Sequence, residues 1–131
     1  MCTASWLAGD GGYRLLFNRD ERKDRSKAYP PKAYDINGVQ VLAPLDPKSK
    51  GTWIAVNEYG LSFAVFNNYG AIEGAPQLEK PDSRGRIPLA LAVSKSSDEA
   101  VRLFDRMDFS NTPPFVVLIV EKMGEVRGFS W

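Results

Sequence analysis

The chain has 131 residues, a formal net charge of +1 and 44 % hydrophobic residues, which fit one domain with a substantial core. Basic and acidic residues are interleaved, so the sequence gives no electrostatic basis for nucleic-acid binding. It contains no histidine and one cysteine. This excludes an imidazole-served nucleophile and an intrachain disulfide, and no zinc or haem-ligand cluster or other cofactor is expected, although an all-oxygen cation site stays open.

The cysteine, Cys2, directly follows Met1. Removal of Met1 would leave a thiol and a free α-amine on one residue. The ordinary pKa of an α-amine is about 7.7 to 8.0, against ~10.4 for lysine, so this amine can accept the thiol proton without a histidine. The alternative is an incidental thiol near a frayed end, and Cys2 taken alone favours that alternative.

A β-hairpin is predicted at the N-terminus. Residues 3–8 and 13–17 are strand-like, and the glycine-rich segment 9–12 between them is typical of a turn. Paired strands would carry Cys2 to within a few ångströms of Arg19, because opposed residues have Cβ atoms about 4.5 to 5.5 Å apart.

The charged residues after the second strand are candidates for a site. Arg19 would lower the pKa of the Cys2 thiol and dock an anionic or carbonyl substrate, and Asp20 would hold the α-ammonium. The alternative is a solvated charged turn, since residues 22–25 continue the charge run.

The rest of the chain alternates short strands, loops and two helices. The predictions are an extended pocket-mouth loop at 28–32, strands at 39–43, 52–57, 61–66, 115–120 and 126–131, a polar loop at 46–51, a binding loop or lid at 71–82, a helix capped by Ser83 and a helix capped by Ser96.

Asn67 and Asn68 lie where the strand 61–66 ends. A side-chain amide can donate to the oxyanion of a tetrahedral intermediate, and losing such a donor typically raises a barrier by about 2.7 to 4 kcal/mol. The alternative, an asparagine pair that tolerates left-handed turn geometry, is equally supported locally. Trp53 and Tyr69 are candidates for a pocket floor, although strand aromatics more often pack in a core.

Several motifs together resemble the NRDE family, also called the transport and Golgi organisation protein family. The resemblance covers essentially the whole chain. Its motifs are Met1-Cys2-Thr3, Asn18-Arg19-Asp20-Glu21, Gly51-Thr52-Trp53-Ile54, Asn67-Asn68-Tyr69 and Ser83-Arg84-Gly85.

The resemblance implies a fold similar to N-terminal nucleophile hydrolases of the cholylglycine hydrolase and penicillin acylase group. Those enzymes also start Met-Cys-Thr and carry an Asn-Glu-x-Gly-Leu hairpin, here residues 57–61. The expected class is α+β, an αββα sandwich of two antiparallel sheets flanked by helices. Residues 1–131 would form a single domain, only the N-terminal half of that fold and truncated at its C-terminal end, because family members are longer.

The resemblance also assigns site residues. Cys2 matches the nucleophile, Arg19 the active-site arginine and Asn67 the oxyanion asparagine. Asp20 is a looser match and competes with Glu21 for orienting the amine. The resemblance implies that a second asparagine and a second arginine of the similar hydrolases come from a later half, which is not expected within residues 1–131. The catalytic set is therefore Cys2, Arg19, Asp20 and Asn67, and the substrate-binding set is Asn18, Glu21, Asn68 and Trp53.

Two functions follow. The first is hydrolysis of linear carbon–nitrogen amide bonds by the N-terminal cysteine. The second is non-catalytic carriage of a lipid-like or haem-like ligand, held between the Pro30 region and the loop 71–82. Either function makes a small molecule the expected partner.

The expected cellular location and oligomeric state follow from the apolar segments and from the last predicted strand. The apolar run 115–120 is too short to span a bilayer, and the N-terminus lacks a signal-peptide pattern. With its single thiol, the protein is expected in the reducing cytoplasm. An unpaired strand at 126–131 would favour a homo-oligomer through its edge.

Overall fold

The structure, a computed structural model, describes residues 2–131. Met1, and with it the predicted removal of Met1, lies outside the described residues. The described part is a mixed α/β arrangement of two antiparallel sheets and few helices. Its elements are β1 Thr3–Gly9, β2 Gly12–Asn18, β3 Tyr29–Ile36, β4 Val39–Leu45, β5 Ile54–Asn57, β6 Ser62–Asn67, α1 Tyr69–Ile72, α2 Arg86–Leu91, α3 Ser97–Phe104, β7 Phe115–Val120 and β8 Val126–Ser130.

The predicted N-terminal hairpin is confirmed as the two-stranded sheet β1–β2. Gly9 pairs with Gly12, so the turn contains two residues, and Thr3 pairs with Asn18 at the open end. Gly11 has a φ of 87°, a left-handed conformation that glycine adopts without strain. The short turn fixes the register, and the register brings the first residues of the chain beside those that follow β2.

The second sheet has six strands in the chain order β3 to β8, and each strand is antiparallel to its neighbours. Side chains alternate between its two faces. On β6, Phe63 and Val65 join the buried core, together with Ile87 and Leu91 of α2. Ala100 and Phe104 of α3 belong to the same core, so α2 and α3 cover one face of this sheet.

The hairpin packs on the opposite face of the six-stranded sheet. The Tyr13 hydroxyl donates to Ser62 Oγ at 2.7 Å, and the rings of Phe17 and Phe66 stack at 4.9 Å. Burial raises the pKa of Tyr13, which keeps the hydroxyl a donor. Ser62 and Phe66 alternate with the core residues along β6, so this strand is held from both sides.

The prediction of an extended pocket-mouth loop at 28–32 is wrong in part. The backbone is extended, but residues 29–32 belong to β3, an edge strand of the larger sheet. Two prolines, Pro30 and Pro31, fit there because proline is tolerated on an edge, where its missing N–H removes no ladder bond. The register shifts between Tyr29 and Lys32.

The two predicted helices exist, with one correction at a cap. Ser96 caps α3 as predicted, and its Oγ accepts from the Glu99 amide. The N-cap of α2 is Gly85 rather than Ser83, whose Oγ accepts from the Gly85 amide and so closes a turn before the helix. The loop predicted at 71–82 begins inside α1 and is otherwise irregular.

Candidate functional site

A cavity of about 650 Å³ lies beside the open end of the hairpin; we call it the N-terminal cavity. The segment 19–25 that follows β2, the segment 46–53, the end of β6 and the segment 81–85 contribute to its wall. It brings together six of the eight residues predicted from the sequence, which are Cys2, Arg19, Asp20, Glu21, Trp53 and Asn67.

The other two predicted residues do not line this cavity. Asn18 is exposed at the end of β2, opposite Thr3. Asn68 is the N-cap of α1, and its side chain accepts from the Ala71 amide. Pro30 is also absent from the wall, so the cavity does not lie where a ligand between the Pro30 region and the loop 71–82 would.

Cys2 is positioned by the hairpin register. It precedes Thr3, the first paired residue of β1, and so lies next to the chain that leaves β2 at Asn18. Its Sγ is 3.8 Å from the carbonyl oxygen of Asp20. The thiol is free and partly exposed in the cavity wall, so a ligand can reach it.

Arg19 is held rigidly from three sides. Its guanidinium donates to Asp46 at 2.5 Å and to Glu21 at 3.1 Å. It also lies over the Trp53 ring, 4.3 Å from the ring centroid, in the geometry of a cation–π contact. Arg19 therefore forms a fixed part of the wall, with its charge opposed by two carboxylates.

Asp46 is the centre of this polar cluster. Its side chain is 4 % exposed. One oxygen accepts from Arg19 and, at 2.8 Å, from Arg25, and the other accepts from the backbone amides of Lys48 and Ser49 at 2.9 Å. Burial alone would raise the pKa of Asp46, but the bonds from Arg25, the Ser49 amide and Arg19 hold that pKa well below its usual range.

Sequence reasoning assigned Asp46 only to a polar loop. An aspartate followed two and three residues later by amides that it can accept from is a local turn signal. That signal predicts the bonds to Lys48 and Ser49. It does not predict the two arginines, which come from a segment more than twenty residues earlier in the chain.

Asn67 is engaged at both ends of its amide. Its Oδ1 accepts a short hydrogen bond from Arg84, and its Nδ2 donates to the Tyr69 hydroxyl at 2.8 Å. An arginine can only donate, so the carbonyl end of the amide must face Arg84. The orientation of the amide is thereby fixed, and one Nδ2 hydrogen is left for a further acceptor.

Arg84 is the second residue that sequence reasoning left out of the site, although its motif was part of the family resemblance. It lines the cavity, and its Nε donates to the Pro113 carbonyl at 3.2 Å. Burial lowers the pKa of Arg84. A long-range contact between the segment before α2 and the end of β6 creates this arrangement, and no local spacing predicts it.

Two absences hold for the part of the chain that the structure describes. No group of three or more His, Cys, Asp or Glu side chains there is arranged to hold a metal ion. No helix among residues 2–131 combines the length and apolar character needed to cross a membrane.

Comparison with known proteins gives one match. Neither curated proteins nor solved structures gave a match to the sequence. A family model described as Transport and Golgi organisation 2 matches residues 1–129, nearly the full length given. The chain therefore belongs to the Transport and Golgi organisation 2 family.

Proposed function

We propose that the protein hydrolyses linear carbon–nitrogen amide bonds with Cys2 as an N-terminal nucleophile. The observation that carries the proposal is that Cys2, the adjacent pair Arg19 and Asp20, and Asn67 come from three separate parts of the sequence and share one cavity. Removal of Met1 is part of the proposal, because it creates the α-amine that replaces histidine as the base.

The chemistry follows from the groups of Cys2. The α-amine takes the thiol proton, and the thiolate attacks the amide carbonyl to give a tetrahedral intermediate. The carbon–nitrogen bond then breaks as the ammonium returns its proton to the leaving amine, which leaves a thioester. Water attacks the thioester with the amine again as base, the carbon–sulfur bond breaks, and the thiol is regenerated with release of a carboxylic acid.

Asn67 and its neighbours support the charge that develops during this reaction. The amide is held by Arg84 and Tyr69, so its remaining Nδ2 hydrogen is preorganised to donate to an oxyanion. Asp20 is next to Cys2 through its carbonyl oxygen, which suits it to orient the α-ammonium. Arg19 is fixed by Asp46 and Trp53 and shapes the wall against which the substrate rests.

The position of the hairpin supports a proposal about the fold. The hairpin β1–β2 covers the face of the six-stranded sheet that the helices leave open. We propose that it represents the start of the second sheet of an αββα sandwich, as in the N-terminal nucleophile hydrolases that the sequence resembles.

The test is hydrolysis of a panel of fluorogenic N-acyl aminocoumarins, with short, medium and aromatic acyl groups, by the wild type and by Cys2→Ala. Alanine also permits Met1 removal, so the variant differs only at the thiol. We expect the variant to lose activity by about a thousandfold or more, since nucleophile and base act as one unit. Circular dichroism and thermal unfolding must match between the two chains.

Two outcomes contradict the proposal. One is turnover by Cys2→Ala equal to that of the wild type. The other is no hydrolysis of any panel member above the rate in buffer, with a folded wild-type chain.

A second candidate, non-catalytic binding of a small molecule, is favoured by the size of the N-terminal cavity. Its volume of about 650 Å³ is in the size range of small-molecule sites. The family description, which names transport, is consistent with this role. It predicts that Cys2→Ala retains ligand and that no acyl-enzyme forms.

A further inference from the structure

Arg84 differs from the other partly buried arginines in its partners. Three partly buried arginines form ion pairs with carboxylates, Arg19 and Arg25 with Asp46, and Arg127 with Asp98. Within residues 2–131, Arg84 forms no ion pair, and its guanidinium donates to Asn67 Oδ1 and to the Pro113 carbonyl. Both acceptors are neutral, so the charge of Arg84 is not matched by contact.

Three acidic side chains of the cavity wall already face other cations. Glu21 and Asp46 pair with Arg19 and Arg25, and Asp82 is 3.3 Å from Arg86. A half-buried guanidinium without a counter-charge is costly for a folded protein, and it is an attractive partner for an anion that enters from solvent.

The geometry of Arg84 leaves room for such a partner. A guanidinium has five N–H donors in one plane. One Nη donor is taken by Asn67 and the Nε donor by Pro113, so other donors remain. Arg84 can therefore bind an anion and hold Asn67 in its fixed orientation at the same time.

We propose that the N-terminal cavity takes a ligand that carries an anionic oxygen group, a carboxylate or a phosphate, and that Arg84 binds this group. The guanidinium fork fits the paired oxygens of either anion. The apolar surfaces of Trp53, Val65 and Pro113 in the same wall suit a hydrocarbon part of the ligand. This inference rests on the proposed function, because the anionic ligand is taken to be the amide substrate.

The test measures binding with probes that contain no amide bond, namely octanoate, octyl phosphate and octan-1-ol. Each is titrated at low salt into isotopically labelled protein, and the Gly85 backbone amide and the Asn67 side-chain amide are followed by NMR. We expect at least one anionic probe to bind about tenfold more tightly than the alcohol, because a hydrogen bond between a guanidinium and an anion is stronger than one to a neutral hydroxyl. The affinities of octanoate and octyl phosphate show whether the cavity prefers a carboxylate or a phosphate.

Variants assign the effect to Arg84. Arg84→Gln should remove the preference for the anion, and Arg84→Lys should retain part of it. Arg102→Gln, an exposed arginine of α3 away from the cavity, makes the same change in net charge and should leave binding unchanged.

The inference is overturned if the alcohol binds as tightly as both anions, or if Arg84→Gln and Arg102→Gln behave alike. The comparison of the alcohol with the anions uses only the wild-type chain, so it tests the inference even if Arg84→Gln does not fold. Because no probe can be hydrolysed as an amide, anion binding without amide turnover would overturn the proposed function alone.

Discussion

At the scale of single residues, Asp46 is the group whose loss should be most damaging. Asp46→Asn would remove the carboxylate that faces Arg19 and Arg25 while keeping the size of the side chain. We expect the free energy of unfolding to fall by about 2 kcal/mol, because two partly buried cations would lose their more buried carboxylate partner and keep only Glu21. Urea denaturation near neutral pH measures this. Glu21→Gln, in which a more exposed carboxylate is lost, is the control and should change stability by about 1 kcal/mol or less.

The same residue predicts how stability depends on pH. The pKa of Asp46 is well below its usual range in the folded chain, against about 3.9 in an unfolded chain. A depressed folded pKa gives stability that is complete above about pH 4 and is lost as the pH falls toward the folded pKa. The difference in unfolding free energy between wild type and Asp46→Asn should therefore shrink below about pH 4. A difference that is constant from neutral to acid pH would contradict this account of Asp46.

Some residues of the candidate site could be predicted from the sequence and others could not. The resemblance and the hairpin register placed Cys2, Arg19 and Asp20 near one another, and the structure brings them into one wall. Asp46 and Arg84 were left out because their partners are distant in the chain. Burial and long-range pairing of charges leave no periodic signal that a single sequence displays.

At the scale of elements, a close approach of two loops closes the cavity. A Cβ added to Gly51 would lie 2.6 Å from the carbonyl carbon of Gly85, and the Thr52 amide donates to the Gly85 carbonyl at 2.9 Å. Gly51→Ala should therefore separate the loop that carries Asp46 from the segment that carries Arg84. We expect a loss of about 2 kcal/mol in unfolding free energy, since the obstructing atoms are backbone.

Gly9→Ala is the matched control for this substitution. No heavy atom lies within 4 Å of the Cβ position at Gly9, so the change should be within about 0.5 kcal/mol. Thermal unfolding of both variants measures the contrast. Equal effects of the two substitutions would show that the contact between Gly51 and Gly85 does not hold the wall together.

The elements themselves were largely predictable where a local rule decides. The hairpin β1–β2 and the cap of α3 follow from turn and capping residues, and the structure confirms both. The two prolines at 30–31 were misjudged, because the sequence does not say whether an extended segment lies at a sheet edge. The edge position of β3 is set by the order of all six strands.

At the scale of the whole molecule, the two faces of the six-stranded sheet are covered by different elements. The helices bury one face in the core, and the hairpin covers part of the other and carries Cys2 to the N-terminal cavity. β8 is an edge of the six-stranded sheet, so association of two copies through this strand stays a prediction. The family model matches residues 1–129 of this chain. The proposed chemistry depends on whether Met1 has been removed from Cys2.

The most direct measurement is the intact mass of the untagged protein purified after expression in cells. If Cys2 is the N-terminal nucleophile, the mass is that of a chain that starts at Cys2, because only then do the thiol and the α-amine belong to one residue. A mass that includes Met1 would contradict this mechanism, since the amine would then lie on the wrong residue and no histidine is present to replace it.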